Sequence, residues 1–308
     1  MPQRRRKPLD GRVALVAGAT RGAGRGIACM LGEAGATVYC SGRSTRRHPP
    51  TGVYAGRPET IEQTARMVTA RGGTGVAVRT DHLDGRQAAA LCARIDREHG
   101  RLDVLVNDIS EAVMHDWKPF WDLDPEKVLR GWQSGVLTHL ITATHAAPLM
   151  VKQKRGLIVE IGDGDSLYYR GNIFYDLVKI STARLALAMA EDLHKHRVAA
   201  VAVTPGFMRT EMVLDHFGVT EDTWREGGKK DPHFLNSETP FFVGRAIAAL
   251  AADRHVLRKS GGLYTSVGLS REYGFTDVDG ARPDIWPHVR KFIAAPRTGV
   301  EWRQVKAG

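Results

Sequence analysis

The amino-acid sequence predicts an α/β fold: a single doubly wound Rossmann-type domain whose seven-stranded parallel sheet is flanked by helices on both faces. Three observations predict it. Short β-branched runs alternate with amphipathic helical patterns along most of the 308 residues. A glycine-rich turn follows the first run, and neither an internal repeat nor a linker-like break divides the chain.

In order, the runs are Val13 to Ala17, Thr37 to Cys40, Gly75 to Val78, Val104 to Val106, Leu157 to Ile161 and Val198 to Val203. A seventh, Gly262 to Val267, follows the helix-like Val243 to Ala252 and completes the sheet at its edge. The domain so defined spans residues 11–268. It follows a basic tail, 1–10, carrying Arg4, Arg5, Arg6 and Lys7, and precedes a C-terminal extension, 269–308, with too little periodicity for a second domain. Two segments break the rhythm. Residues 44–58, with Pro49, Pro50, Gly52 and Gly56, replace a short strand-to-helix loop and are either a lid over a ligand or a surface excursion. Residues 211–239 are polar, contain Trp224 and follow the sixth run, where doubly wound enzymes carry a flap over the substrate. The stretch Ser181 to Ala190 is apolar nearly all round, which a helix lying on a sheet does not need unless its outer side is covered too; a homodimer or homotetramer is expected.

Composition narrows the function classes. An apolar share of 43% supports a sizeable core. The formal charge of +10 suits a polyanionic ligand, and a phosphorylated small molecule satisfies it as well as nucleic acid does; with no aromatic-interleaved basic groove, nucleic acid is not an expected partner. Cys29, Cys40 and Cys92 are far apart and match neither a metal pattern nor a disulfide framework, so they read as buried, reduced thiols. No signal-peptide core opens the chain, and no apolar run approaches the roughly 20 residues that span a bilayer. A cytoplasmic protein without membrane association is expected.

After the first run come Gly18, Ala19, Thr20, Arg21, Gly22, Ala23 and Gly24, ahead of a helix. Glycines here permit positive φ and close approach of a pyrophosphate to the amides at a helix N-terminus, although glycine also makes ordinary turns. The second run ends in Ser41, Gly42, Arg43 and Ser44. An acid at this place bonds the ribose 2′-hydroxyl of NAD, whereas an arginine accommodates the 2′-phosphate of NADP. NADP(H) is therefore the expected cofactor, with Arg21 flanking the same phosphate; the competing reading makes these arginines loop charges of a basic protein. Asp81, just past the third run, is placed to face the adenine.

Tyr175 and Lys179 stand one helical turn apart on one face, at the start of the helix that follows the fifth run. A phenol near pKa 10 is a poor acid or base at neutral pH, and an adjacent fixed cation brings it into range. With the glycine motif 18 to 24, the Asn107 stretch and the motif Pro205-Gly206-Phe207-Met208-Arg209-Thr210, this chain resembles the short-chain dehydrogenase/reductase family from Gly11 to about Gly268. Its tail, Arg271 to Gly280, is similar to a subgroup related to dehydrogenase/reductase SDR family member 1. The resemblance implies a small-molecule substrate, a nicotinamide lying against Pro205 and Gly206 with its carboxamide held by Thr210, and Asn107 and Lys179 beside the cofactor.

The departures are equally specific. Asn107-Asp108-Ile109-Ser110 keeps only the first residue of the family's Asn-Asn-Ala-Gly, Gly135 stands where a helix often carries Asn, and Gly162-Asp163 stands where the catalytic serine belongs. Asp163 replaces that serine as a hydrogen-bond donor only if protonated, as burial beside Asp165 would favour. The alternatives are that Ser166 reaches in, that ionised Asp163 binds a substrate hydroxyl or ammonium, or that it caps a turn. Tyr168 and Tyr169 read as pocket wall or core. His194 and His196, flanking Lys195, suit a helix C-terminus, and His115, His139 and His145 are scattered; no metal site is expected. Asp108, Glu111, Asp163 and Asp165 follow strand ends and form an acidic rim. The function expected is carbonyl–alcohol interconversion with Tyr175, Lys179 and Asp163 as the catalytic set. Its rivals are non-redox chemistry at the same site (dehydration, epimerisation or cyclisation) and a catalytically silent NADP-binding sensor or scaffold.

Overall fold

The computed structural model describes residues 6–110, 118–166 and 168–292. Arg4 and Arg5 of the tail, Glu111 of the acidic rim, His115 and residues 293–308 of the extension lie outside the described residues. Seven parallel strands form one sheet in the order β3-β2-β1-β4-β5-β6-β7. They are β1 Val13–Ala17, β2 Thr37–Gly42, β3 Thr74–Arg79, β4 Val104–Asn107, β5 Gly156–Ile161, β6 Val198–Thr204 and β7 Leu263–Thr265. Strand order reverses between β1 and β4, and the crevice beyond the C-terminal ends at such a switch point is where open α/β sheets bind ligands.

Period-two alternation sorts the strand residues onto two faces. Ala14, Val16, Val104, Val106, Val201 and Val203 pack on one side against Ile27 and Leu31 of α1 (Gly22–Glu33) and Val243, Ile247 and Leu250 of α8 (Pro240–Ala252). Leu15, Leu105, Ile158 and Ala200 pack on the other. That side meets Leu91 and Ile95 of α3 (Gly85–His99), Ala146 and Met150 of α5 (Thr138–Gln153) and Ala190 of α6 (Ile173–Leu193). Each of the valine, leucine, isoleucine and methionine side chains contributes about 1.5–3 kcal/mol by leaving water. Both faces being covered explains why the strands read as continuous apolar runs. The three cysteines are buried free thiols.

The last run is shorter than the sequence suggests. Thr265 ends β7 and accepts from the Gly268 amide at 2.9 Å, capping α9 (Ser266–Tyr273), so Ser266, Val267 and Gly268 are helical. The chain beyond folds back on the core: Phe275 packs edge-on against Phe242 at 5.4 Å, and Ile285 and Trp286 join Phe242 and Val267 in a cluster. Within α6, Thr182, Ala186 and Ala190 are buried against the body, while Leu185, Leu187 and Met189 are half-buried and Leu177 is exposed. No helix among the described residues is long and apolar enough to cross a membrane.

Candidate active site

The glycine loop is built by close approach. Gly18 has φ +94°, and a Cβ there would stand 2.5 Å from the Asp108 carbonyl oxygen; a Cβ on Gly24 would stand 2.4 Å from the Gly18 carbonyl oxygen. Only glycine allows the first turn, β4 and the start of α1 to meet so closely. The α1 amides already hold an anion: the Gly22 N–H donates to a Glu211 carboxylate oxygen at 2.8 Å, and Arg25 meets the other Glu211 oxygen at 3.2 Å. Glu211 begins α7 (Glu211–Phe217), capped by Thr210, whose hydroxyl accepts from the Val213 amide at 3.3 Å.

At the end of β2, Arg43 is exposed and Ser44 is half-buried, its carbonyl accepting from the Ile61 amide. Arg21 lies 4.3 Å over the Tyr54 ring and 3.4 Å from Glu59, and its Nη2 is buried without a hydrogen-bond partner among the described residues. Desolvation lowers the Arg21 pKa. Tyr54 in turn donates to the Ser110 carbonyl at 3.3 Å, across the switch point. Tyr54 and Arg57 thus hold residues 44–58 against the loop after β4 and against α7. Arg57 bonds Asp215 of α7 at 2.8 Å and Glu59 at 2.7 Å, and a cleft of about 620 Å³ opens between residues 55–59 and 211–221.

Three expected cofactor residues are otherwise engaged. Ser41 is fully buried, its hydroxyl bonded to the Val16 carbonyl at 3.1 Å and to His82 at 2.9 Å. Asn107 is also fully buried and donates to Glu160 at 2.7 Å; Glu160 bonds His139 at 2.6 Å, and His139 reaches the Ile109 carbonyl at 2.9 Å. Strand alternation turns both side chains into the body, where their bonds help fix the strand ends at the crevice. Asp81 accepts from the Leu83 amide at 3.0 Å and so shapes a local turn.

Beyond β5 the side chains expected to be catalytic converge. Asn172 caps α6 by accepting from the Phe174 and Tyr175 amides at 2.9 and 3.0 Å, which puts Tyr175 in the first turn with Lys179 one turn on. The Tyr175 hydroxyl donates to Asp163 at 2.5 Å. Asp163 is therefore no turn cap. Ser166 does not reach in; it bonds Asp165, which pairs with Arg290 at 2.5 Å. The expected lowering of the phenol by Lys179 is outweighed: its Nζ sits 5.7 Å from the Tyr175 ring centre, and burial, then the Asp163 carboxylate, push the Tyr175 pKa well above 10. Burial likewise pushes Asp108 up to about 7, opposed by Lys179 and by a bond from the Gly24 amide.

Sequence reasoning missed Arg170. Its guanidinium donates to the carbonyls of Asp163, Tyr168 and Ser166 at 2.8, 3.1 and 3.0 Å and to the Asp176 carboxylate at 2.8 Å, wrapping the loop that carries Asp163. A lone arginine gives no local signal of this. Gly135 is explained by packing: it lies in a π-helical turn, Gln133–Leu137, and a Cβ there would meet Val178 of α6 at 2.6 Å.

The family model described as short chain dehydrogenase matches residues 12–217. This chain belongs to the short-chain dehydrogenase family. As members of that family, it and its relatives are oxidoreductases that bind a nicotinamide dinucleotide and a small-molecule substrate. This short-chain dehydrogenase is similar to dehydrogenase/reductase SDR family member 1 of Mus musculus, 36% identical over 284 residues that cover 89% of this chain and 85% of that protein. Its counterpart in Homo sapiens is 34% identical with the same coverage. Among solved structures, a short chain dehydrogenase of Mycobacterium thermoresistibile superposes with a TM-score of 0.74 at 21% identity, covering 90% of this chain and 95% of that one. A metagenomic short-chain oxidoreductase in complex with NADP superposes with a TM-score of 0.61 at 24% identity, covering 80% and 93%. These likenesses establish the fold. Two features of the chain test the fit of a dinucleotide independently: the glycine cradle that a Cβ would fill and the unpartnered, buried Nη2 of Arg21. Both fit a phosphorylated ligand on the α1 amides.

Proposed function

We propose that this short-chain dehydrogenase interconverts a carbonyl and an alcohol with NADP(H), Tyr175 acting as acid and base. The observation that carries the reading is the Tyr175–Asp163 hydrogen bond with Lys179 one turn away, at the C-terminal edge of the sheet beside the glycine loop. The dinucleotide supplies the hydride in one direction and removes it in the other. Gly18, Thr20, Gly22 and Gly24 give it a backbone cradle, while Arg43 and Arg21 select the 2′-phosphate. Pro205, Gly206 and Thr210 wall the nicotinamide side, and Lys179 holds ribose hydroxyls.

With its pKa raised, Tyr175 keeps its proton across neutral pH, the form that donates to the substrate oxygen in carbonyl reduction. Asp163 positions the hydroxyl and completes the set in place of the absent serine. The cytoplasm and a homodimer or homotetramer packed through α6 complete the reading. A second reading, non-redox chemistry on the same site, draws on that missing serine.

Supplying NADPH with a panel of aldehydes and ketones separates the two. NADPH loss matched by alcohol formation, and abolished in Tyr175→Phe, is expected. Substrate conversion with no net change in NADPH would establish the second reading instead.

A further inference from the structure

Beneath the Pro205–Thr210 segment lies a carboxyl group that the proposed chemistry does not use. Glu238 is 1% exposed, and one of its oxygens, Oε2, accepts from the Gly206 amide at 2.9 Å and from the Ser266 hydroxyl at 2.6 Å. Its main chain grips the same segment on both sides: the Glu238 amide donates to the Phe207 carbonyl and the Arg209 amide donates to the Glu238 carbonyl, each at 2.8 Å. A Cβ on Gly206 would stand 3.0 Å from Oε2 and 3.1 Å from Ile285, so the segment rests directly on this carboxyl.

We propose that Glu238 is a positioning residue, which through Gly206 fixes the wall of the cleft that faces the nicotinamide. The inference rests on the dinucleotide reading above and adds the residue that sets the geometry of that wall.

Glu238 does this as the neutral acid. Its second oxygen, Oε1, is buried with no hydrogen-bond partner among the described residues, and an ionised carboxylate so placed would leave half its charge unanswered. Two charged groups face it from the packed elements. Asp277, on the chain after α9, is itself 1% exposed and bonded to Thr239, and it disfavours a second negative charge. Arg209 favours that charge, but its guanidinium is engaged by Glu221 at 2.9 Å and by Ser237. Burial dominates and pushes the Glu238 pKa up to about 8. The bonds from Ser266 and Gly206 favour the ionised form and oppose this, but above that pH the charge on unpartnered Oε1 draws in water or shifts the carboxylate, and Gly206 moves with it.

The experiment is NADPH binding by fluorescence between pH 7 and pH 9, with thermal unfolding of the dinucleotide-free protein over the same range, in wild type, Glu238→Gln and Glu238→Ala. If only the neutral form binds, wild-type affinity falls about tenfold from pH 7 to pH 9 for a group titrating near 8. Glu238→Ala binds at least about tenfold more weakly at pH 7, as a lost buried bond predicts. Glu238→Gln recovers most of that loss and no longer weakens with pH; its melting temperature also loses the pH dependence that wild type shows below pH 8. A merely structural role would not flatten the pH response. Wild type and Glu238→Gln weakening in parallel, or Glu238→Ala binding as wild type does, would overturn the inference alone. Should Glu238→Ala not fold, Glu238→Gln decides it. Wild type binding neither NADPH nor NADH would overturn the dinucleotide reading together with this one.

Discussion

The half of the sheet formed by β1, β2 and β3 and the half formed by β4, β5 and β6 use different materials. In the first, the groups expected to meet a ligand are main-chain amides and strand-end arginines, shaped by close backbone approach such as that of Gly18 to Asp108. In the second they are side chains held by other side chains: Tyr175 by Asp163, the Asp163 loop by Arg170, and the Asn107–Ser110 turn by Glu160 and His139. The first half is specified by backbone shape. The second depends on side-chain bonds, so it can exchange its side chains while the fold persists, as the aspartate at 163 exemplifies on the proposed reading.

That contrast can be broken at several points. The largest expected effect is in the second half: Tyr175→Phe, which deletes a positioned acid, lowers kcat by about 10²–10⁴-fold with NADPH affinity within a few-fold of wild type, measured by turnover and fluorescence titration. In the first half, Arg43→Ala combined with Arg21→Ala weakens NADPH by about tenfold or more and leaves NADH nearly unchanged, since only the 2′-phosphate contacts are lost. Equal losses for both cofactors would place the arginines outside specificity.

Asp163→Asn sharpens the comparison through pH. The Asp163 carboxylate raises the Tyr175 pKa, so its removal lowers that pKa and shifts the alkaline limb of carbonyl reduction to lower pH. An unmoved limb would mean that Tyr175 does not set it. Asp163→Asn also retains more activity than Asp163→Ala, because the amide still engages the phenol.

The smallest effect tests packing between the helices behind the site. Gly135→Asn forces a side chain into Val178 and costs about 1–3 kcal/mol by denaturant unfolding; Val178→Ala beside it recovers part of that loss.

The same division decides what was legible in the sequence. Strand runs, the glycine motif and the Tyr175–Lys179 spacing are local patterns, and each stands where expected. The end of β7 was missed because Thr265 serves equally as a strand residue and as a helix cap, and only the Gly268 amide decides between them. Ser41 and Asn107 occupy strand ends whose side chains turn inward, a register that needs the neighbouring strands to settle. Glu211 and Glu238 left no trace because their partners are brought to them by folding alone, and Arg170 left none because no motif marks an arginine that wraps its own loop.

The contact between Glu211 and the Gly22 amide changes what binding means for this protein. Its cleft begins with one anion already seated, so a phosphorylated ligand enters by exchange rather than by addition. The measured affinity is then a difference between two carboxylate- and phosphate-to-amide bonds. Because Glu211 opens α7, the same carboxylate joins the glycine loop to the segment that follows β6.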